Sequence, residues 1–228
     1  MSARIEQVVT SGKCTLDDDE YEVETNTYIV GDDDEVIVID PANDAEAILK
    51  AVDGREVMAI ICTNGRSNIL GAVIEVAEAD EDDPAPIALH RNDRLLWRQY
   101  FRQLAKEIKD DELKDLQPDI DIEDGGLFEV AGAQLEVMHT PGFTPGSISL
   151  YSEQLAVLFT GNTLLRGKPG EIGGSYHDLQ TQLNSIGGLV GPLPKDTQVL
   201  PGQGPETTIS EEDVRWESWY SLDRESDD

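Results

Sequence analysis

Histidine and cysteine are scarce in this chain, three and two in 228 residues. His90, His139 and His177 stand far apart, with no partner at metal-ligand spacing. Cys14 and Cys62 have neither the number nor the spacing of a disulfide framework or a zinc knuckle, so both are expected to be reduced, Cys62 as a small buried hydrophobe in a strand. No apolar run reaches bilayer length, and "MSARIEQVVTSG" holds no signal-peptide core; the expected setting is the cytoplasm. Positive charge is short as well. Lys and Arg total 17 against 47 Asp and Glu, a net charge of -30, which would repel a nucleic-acid backbone or an anionic membrane over most of the surface. Neither is expected as a partner. Such acidity suits a salt-adapted cytoplasm or simply a very soluble acidic protein.

Long Gly-rich or Pro-rich linkers are also missing, so one domain over residues 1–228 is expected, with the acidic stretch near 105–125 as a surface excursion. What is present alternates. "RIEQVV", "TNTYIV" and "EVIVID" read as strands, the last two joined through "GDDDE" as a hairpin. "PANDAEAILKAVDG" has a cap candidate in Asn43 or Asp44, helical spacing and a stop at Gly54. "EVMAIICT" is continuous enough for a strand buried on both faces. "ILGAVIEVAEA" predicts a helix, "PIALH" a strand, and "RLLWRQYFRQLAKEIKDDELKDL" a helix with Trp97, Tyr100 and Phe101 on its core side. The second half repeats the plan: "LFEVAGAQLEVMHT" and "SISLYSEQLAVLFTG" as strand pairs, "HDLQTQLNSIGGLV" as a helix, "TQVLPG" as a strand. "SEEDVRWESWYSL", with Trp216, Trp219 and Tyr220, closes the chain as a helix. Two similar halves packed face to face would bury both sheets.

Five stretches carry more than secondary structure. "EVIVIDPA", "AIICTNGRSNILGA", "LEVMHTPGFTPGSISLY", "VLFTGNTLL" and "VLPGQGPETTI" occur in this order over most of residues 25 to 210. Together they resemble the metallo-β-lactamase fold superfamily, and within it the glyoxalase II-like thioester hydrolases; the phrasing is similar to an actinobacterial subgroup. The resemblance implies an α/β (α+β) fold, a four-layer αβ/βα sandwich.

It also implies a site. In active relatives two zinc ions, held by histidines and carboxylates, generate a bridging hydroxide that attacks the substrate carbonyl. Carried across, the first histidine pair falls on Asn64 and Arg66, and the following Asp and His on Asn68 and Ile69. The third histidine is His139, the bridging Asp falls on Asn162, and the last histidine on Gln203. Phe143 replaces a histidine that is not a ligand. One ligand position in seven survives, and Arg66 adds a fixed positive charge where a cation would sit. The resulting expectation is no metal and no cofactor. Asn68 and Asn162 keep the shape of the lost carboxylates without leaving uncompensated charge.

Asn64, Arg66, Asn68, His139, Asn162 and Gln203 therefore form a candidate ligand-binding set. It would be either a self-satisfied hydrogen-bond network or a cleft for a small anion held by Arg66. No residue stands out as catalytic; His139 is the candidate for a residual general base, and a Cys62–His139 nucleophilic pair is conceivable. His90 and His177 read as surface or capping residues. Asp40 would pair with Arg66 or cap a loop. The functional expectation is a pseudoenzyme with a retained polar cleft; the rivals are an active thioester hydrolase and a regulatory interaction protein. Oligomeric state is not written in the sequence.

Overall fold

In the computed structural model, which describes residues 2–16, 19–171 and 176–225, two six-stranded sheets lie face to face. The first is built from β1 (Arg4–Leu16), β2 (Asp19–Gly31) and β3 (Glu35–Ile39), then α1 (Ala45–Val52), β4 (Glu56–Cys62), α2 (Ser67–Leu70), α3 (Val73–Ala77), β5 (Ile87–His90), α4 (Arg94–Ile108) and β6 (Ile120–Ile122). Its strands run in the order β1-β2-β3-β4-β5-β6, antiparallel through the opening meander and parallel from β3 onward. The second contains β7 (Leu127–Val130), β8 (Ala133–His139), β9 (Ile148–Ser152), β10 (Val157–Gly161), a small hairpin of β11 (Leu164–Leu165) and β12 (Lys168–Pro169), α5 (Leu179–Val190), β13 (Gln198–Pro201), β14 (Thr207–Thr208) and α6 (Ile209–Glu225). Its order is β14-β13-β10-β9-β8-β7, with β10 and β13 parallel.

Three apolar layers explain the stacking. Alternate residues of the central strands point to opposite faces: Val36, Val38, Ile60 and Cys62 pack under Ile48, Val73, Trp97 and Phe101 from the helices. Ile37, Ile39, Ala59 and Ile61 instead meet Leu135, Val137, Leu150 and Phe159 of the other sheet. Leu158 and Val199 face Leu183, Ile186 and Ile209 on the far side. Helix, sheet, sheet, helix is thus the arrangement the hydrophobic alternation requires.

Most predicted elements are where the sequence put them. Asp44 caps α1, accepting the Ala47 N–H at 3.0 Å, and Ala131–Gly132, both at positive φ, turn β7 into β8. Two expectations need correction. "ILGAVIEVAEA" is not one helix: Gly71 lies against the Ala42 carbonyl, with no room for a Cβ, and the helix breaks into α2 and α3. The acidic stretch near 105–125 is not only a surface excursion, since it contains β6, which pairs with β5 and buries Ile122 between the sheets. Trp97 and Phe101 are core residues as expected, and Trp216 and Trp219 pack on the outer layer of the second sheet. The side chains of Cys14 and Tyr220 lie outside those described. Among the described residues, no helix is long and apolar enough to cross a membrane.

Candidate functional site

Strand ends from both sheets converge at one edge of the sandwich. The Thr63 carbonyl, just past β4, accepts the Ile148 N–H of β9 at 2.9 Å, and the Gly202 N–H donates to the Gly161 carbonyl at 2.7 Å. Gly161 has φ 48° and abuts the Thr63 side chain, so only glycine lets β10 end there. On β2, Thr25 Oγ1 donates to the Asn68 carbonyl at 3.3 Å, while the Asn26 N–H reaches the Gly202 carbonyl at 2.8 Å. These backbone ties bring the segments of Asn64, Asn68, Asn162 and Gln203 together.

The amides make one direct bond. Asn64 Nδ2 donates to Asn162 Oδ1 at 3.1 Å and, more weakly, to Thr63 Oγ1 at 3.4 Å, and Asn64 Oδ1 accepts the Arg66 N–H at 3.1 Å. Gln182 of α5 holds the other side, donating from Nε2 to the carbonyls of Asn162, Thr163 and Gly170 while its Oε1 bonds His177. Asn68 is fully buried, yet among the described residues neither of its side-chain amide atoms has a hydrogen-bond partner, and buried Gln203 Nε2 has none either. A wholly self-satisfied network is therefore not what forms.

Two buried carboxylates flank the amides. Asp40, at φ 54°, accepts the Thr63 N–H and Oγ1–H, both at 2.7 Å. It caps the loop through Thr63, and burial pushes its pKa up to about 7. Asp93, fully buried just before α4, accepts the Gly65 N–H at 2.8 Å, the Gly146 N–H at 2.7 Å and the Thr144 hydroxyl at 2.6 Å. Burial raises its pKa, opposed by these three bonds and by the charge of Arg66. Arg66 itself is half-buried, its guanidinium carbon 5.5 Å from the centre of the Phe143 ring, within cation–π range. The replacement Phe143 thus acts as a platform for the replacement Arg66.

His139 makes its ring contacts with groups other than the amides. Its ring stacks on His90, centroids 4.2 Å apart and 13° from parallel, and its Nε2 bonds the Pro145 carbonyl at 2.9 Å. His90, expected as a surface or capping residue, does cap the following turn, but it is buried against His139. Burial, helped by neighbouring His139, pushes its pKa down to about 4. The Cys62–His139 pair does not form: Cys62 faces the helix layer, and burial pushes its thiol pKa well up. Ile69 is wholly inside the same layer.

A family model described as the metallo-beta-lactamase superfamily matches residues 21–203. The chain belongs to that superfamily. Among curated relatives, it is 29% identical to the "Probable metallo-hydrolase YqgX" of Bacillus subtilis over 82% of this chain and 88% of that one. It is 25% identical to the "Hydroxyacylglutathione hydrolase GloC" of Haemophilus influenzae over 82% and 89%. Among solved structures, TTHA1623 in a di-iron-bound form superposes with TM-score 0.71 at 29% identity, covering 85% of this chain and 94% of that one. Glyoxalase II-like proteins are thus among its relatives.

The di-iron neighbour corrects the expectation that no cofactor enters this protein's account: the family is one that carries metal. The residues of this chain nevertheless fit a dinuclear centre poorly. Two ligand positions are spent on the Asn64–Asn162 bond, Ile69 sits in the apolar layer and Arg66 brings a cation. Among the described residues, no three His, Cys, Asp or Glu side chains gather as they would around a metal ion. Asp93 and Gln182 were missed by sequence reasoning. Asp93 in "HRND" looks like an ordinary helix-start acid, and Gln182 like one polar residue on an amphipathic helix.

Proposed function

We propose that this protein is a pseudoenzyme of the hydrolase fold: a binding protein whose cleft holds a small anionic ligand through Arg66 and the amides of Asn64, Asn68, Asn162 and Gln203. The observation that carries the reading is the buried Asn68 side chain, whose amide has no hydrogen-bond partner among the described residues, together with Gln203 Nε2. A buried amide left unpaired costs about 1–3 kcal/mol, a cost a bound oxyanion accepting from these donors would relieve. Arg66, propped on Phe143, supplies the charge. A cytoplasmic setting suits a chain with a free, buried Cys62.

Thermal melts of the parent and Arg66→Ala, with and without small carboxylates, phosphates and thiol conjugates, test this. The expected outcome is stabilisation of the parent by an anion, and binding weakened by about 1.5 to 3 kcal/mol in the variant. A variant that loses stability but leaves every anion response unchanged would sink the binding role of Arg66. The second reading, an active thioester hydrolase, is favoured by the likeness to GloC; it requires turnover from a site with one of the seven inherited ligands.

A further inference from the structure

A cavity of about 400 Å³, the size of a small-molecule site, lies on the α5 side of the second sheet, and its lining includes none of the cleft amides. His139 and Met138 at the end of β8 form one wall. Thr181, Ser185 and Leu189, one helical turn apart on α5, form the other, and Asp124 sits at the mouth. The hydrogen-bond bookkeeping of this lining is one-sided. The Ser185 hydroxyl donates to the Pro141 carbonyl at 2.7 Å, and the Thr181 hydroxyl to Asp178 at 2.8 Å. A carbonyl can only accept, so His139 donates from Nε2 to Pro145, which in the neutral imidazole leaves Nδ1 as an acceptor. Asp124 uses Oδ1 to accept the His139 N–H at 2.7 Å and keeps Oδ2. The exposed Asn184 at the rim is the lining side chain that retains donors.

We infer that this cavity is a binding site for a primary alkylammonium, the cation taken by Asp124, His139 Nδ1 and the hydroxyl oxygens, and the short alkyl body by Met138 and Leu189. Apart from Asn184 at the rim, the side-chain donors of the lining are spent on the protein, leaving acceptors and apolar surface, and a ligand that supplies three donors and a positive charge complements both. An anion would meet a carboxylate and lone pairs. The net charge of -30 raises the concentration of any cation near the surface, so a specific site must be separated from loose counterion binding.

The probe is propylammonium chloride, titrated at constant ionic strength against sodium chloride and propanol and followed by calorimetry and by the His139 imidazole nitrogens in NMR. The parent should bind saturably, with His139 Nδ1 shifting, and neither sodium nor propanol should compete. Asp124→Asn should weaken binding about tenfold, the scale of one lost charge contact. Gly188→Leu fills the cavity from a helical position whose Cβ would meet nothing within 4 Å, and should abolish binding without lowering the melting temperature. Equal binding by all three proteins, competition by sodium, or no saturable binding by the parent would each overturn the proposal. The anion response of the amide cleft should be unchanged in both variants, so this site and that one fail separately.

Discussion

Asp93 and the amide pair Asn64–Asn162 occupy the same edge of the sandwich and solve burial in opposite ways. Asp93 remains a carboxyl group with no exposure at all, because two backbone N–H groups and a hydroxyl point at it and Arg66 is near. Asp40 does likewise with the Thr63 N–H and hydroxyl. Asn162 and Asn68 stand where the resemblance puts carboxylates, and in this chain they are neutral. On the proposed reading the difference teaches a rule about charge: a buried carboxyl remains where the chain itself supplies the donors, and an amide stands where the counter-charge in metal-carrying relatives comes from the metal.

The comparison breaks first at Asp93. Asp93→Ala removes three buried hydrogen bonds and leaves the Gly65 and Gly146 N–H groups unpaired, and should lower the unfolding free energy by about 3 kcal/mol or more in urea titrations. Asp93→Asn, which keeps an acceptor, should cost less. A loss below about 1 kcal/mol for the alanine would mean that the knot does not hold the two loops together.

Placing a charge among the amides is the complementary test. Asn162→Asp should cost about 1–3 kcal/mol at neutral pH and recover in acid, where the new carboxyl protonates. If that carboxylate is tolerated at pH 7, the Arg66 guanidinium reaches it and compensates its charge, and the rule fails there.

Asp40 and His90 sharpen the comparison through pH. Asp40 has its pKa raised from 3.8 to about 7, so its contribution is complete below pH 3.8 and is lost as pH rises through 7, with a slope of at most about 1.4 kcal/mol per pH unit. His90 has its pKa lowered from 6.5 to about 4, so its contribution is complete above pH 6.5 and is lost as pH falls through 4. Asp40→Asn should flatten the decline between pH 4 and 7 and leave the acid-side loss in place; stability curves that ignore the substitution would show Asp40 to be solvated.

Local patterns made most of the fold legible. Alternation in "EVIVI" and "EVMAIIC", the cap at Asp44 and the Ala131–Gly132 turn all act within a few residues. The break between α2 and α3 did not show, because Gly71 is demanded by the distant Ala42 carbonyl. β6 did not show either: three residues in an acidic run become a strand only because β5 offers an edge. At the site, the resemblance picked out Asn64 and Asn162, which the structure joins, while the stacking of His139 on His90 spans 49 residues of chain and leaves no local trace.

The central claim, that this cleft binds and does not hydrolyse, is tested most directly by a thioester assay with a hydroxyacylglutathione substrate, run with zinc or iron added in excess. The expected result is no release of thiol above the protein-free blank at any metal concentration. Turnover at about 1 per second or faster, the ordinary range of enzymes, and abolished by His139→Ala, would contradict the claim and show that a hydrolase works here through ligands other than the inherited set.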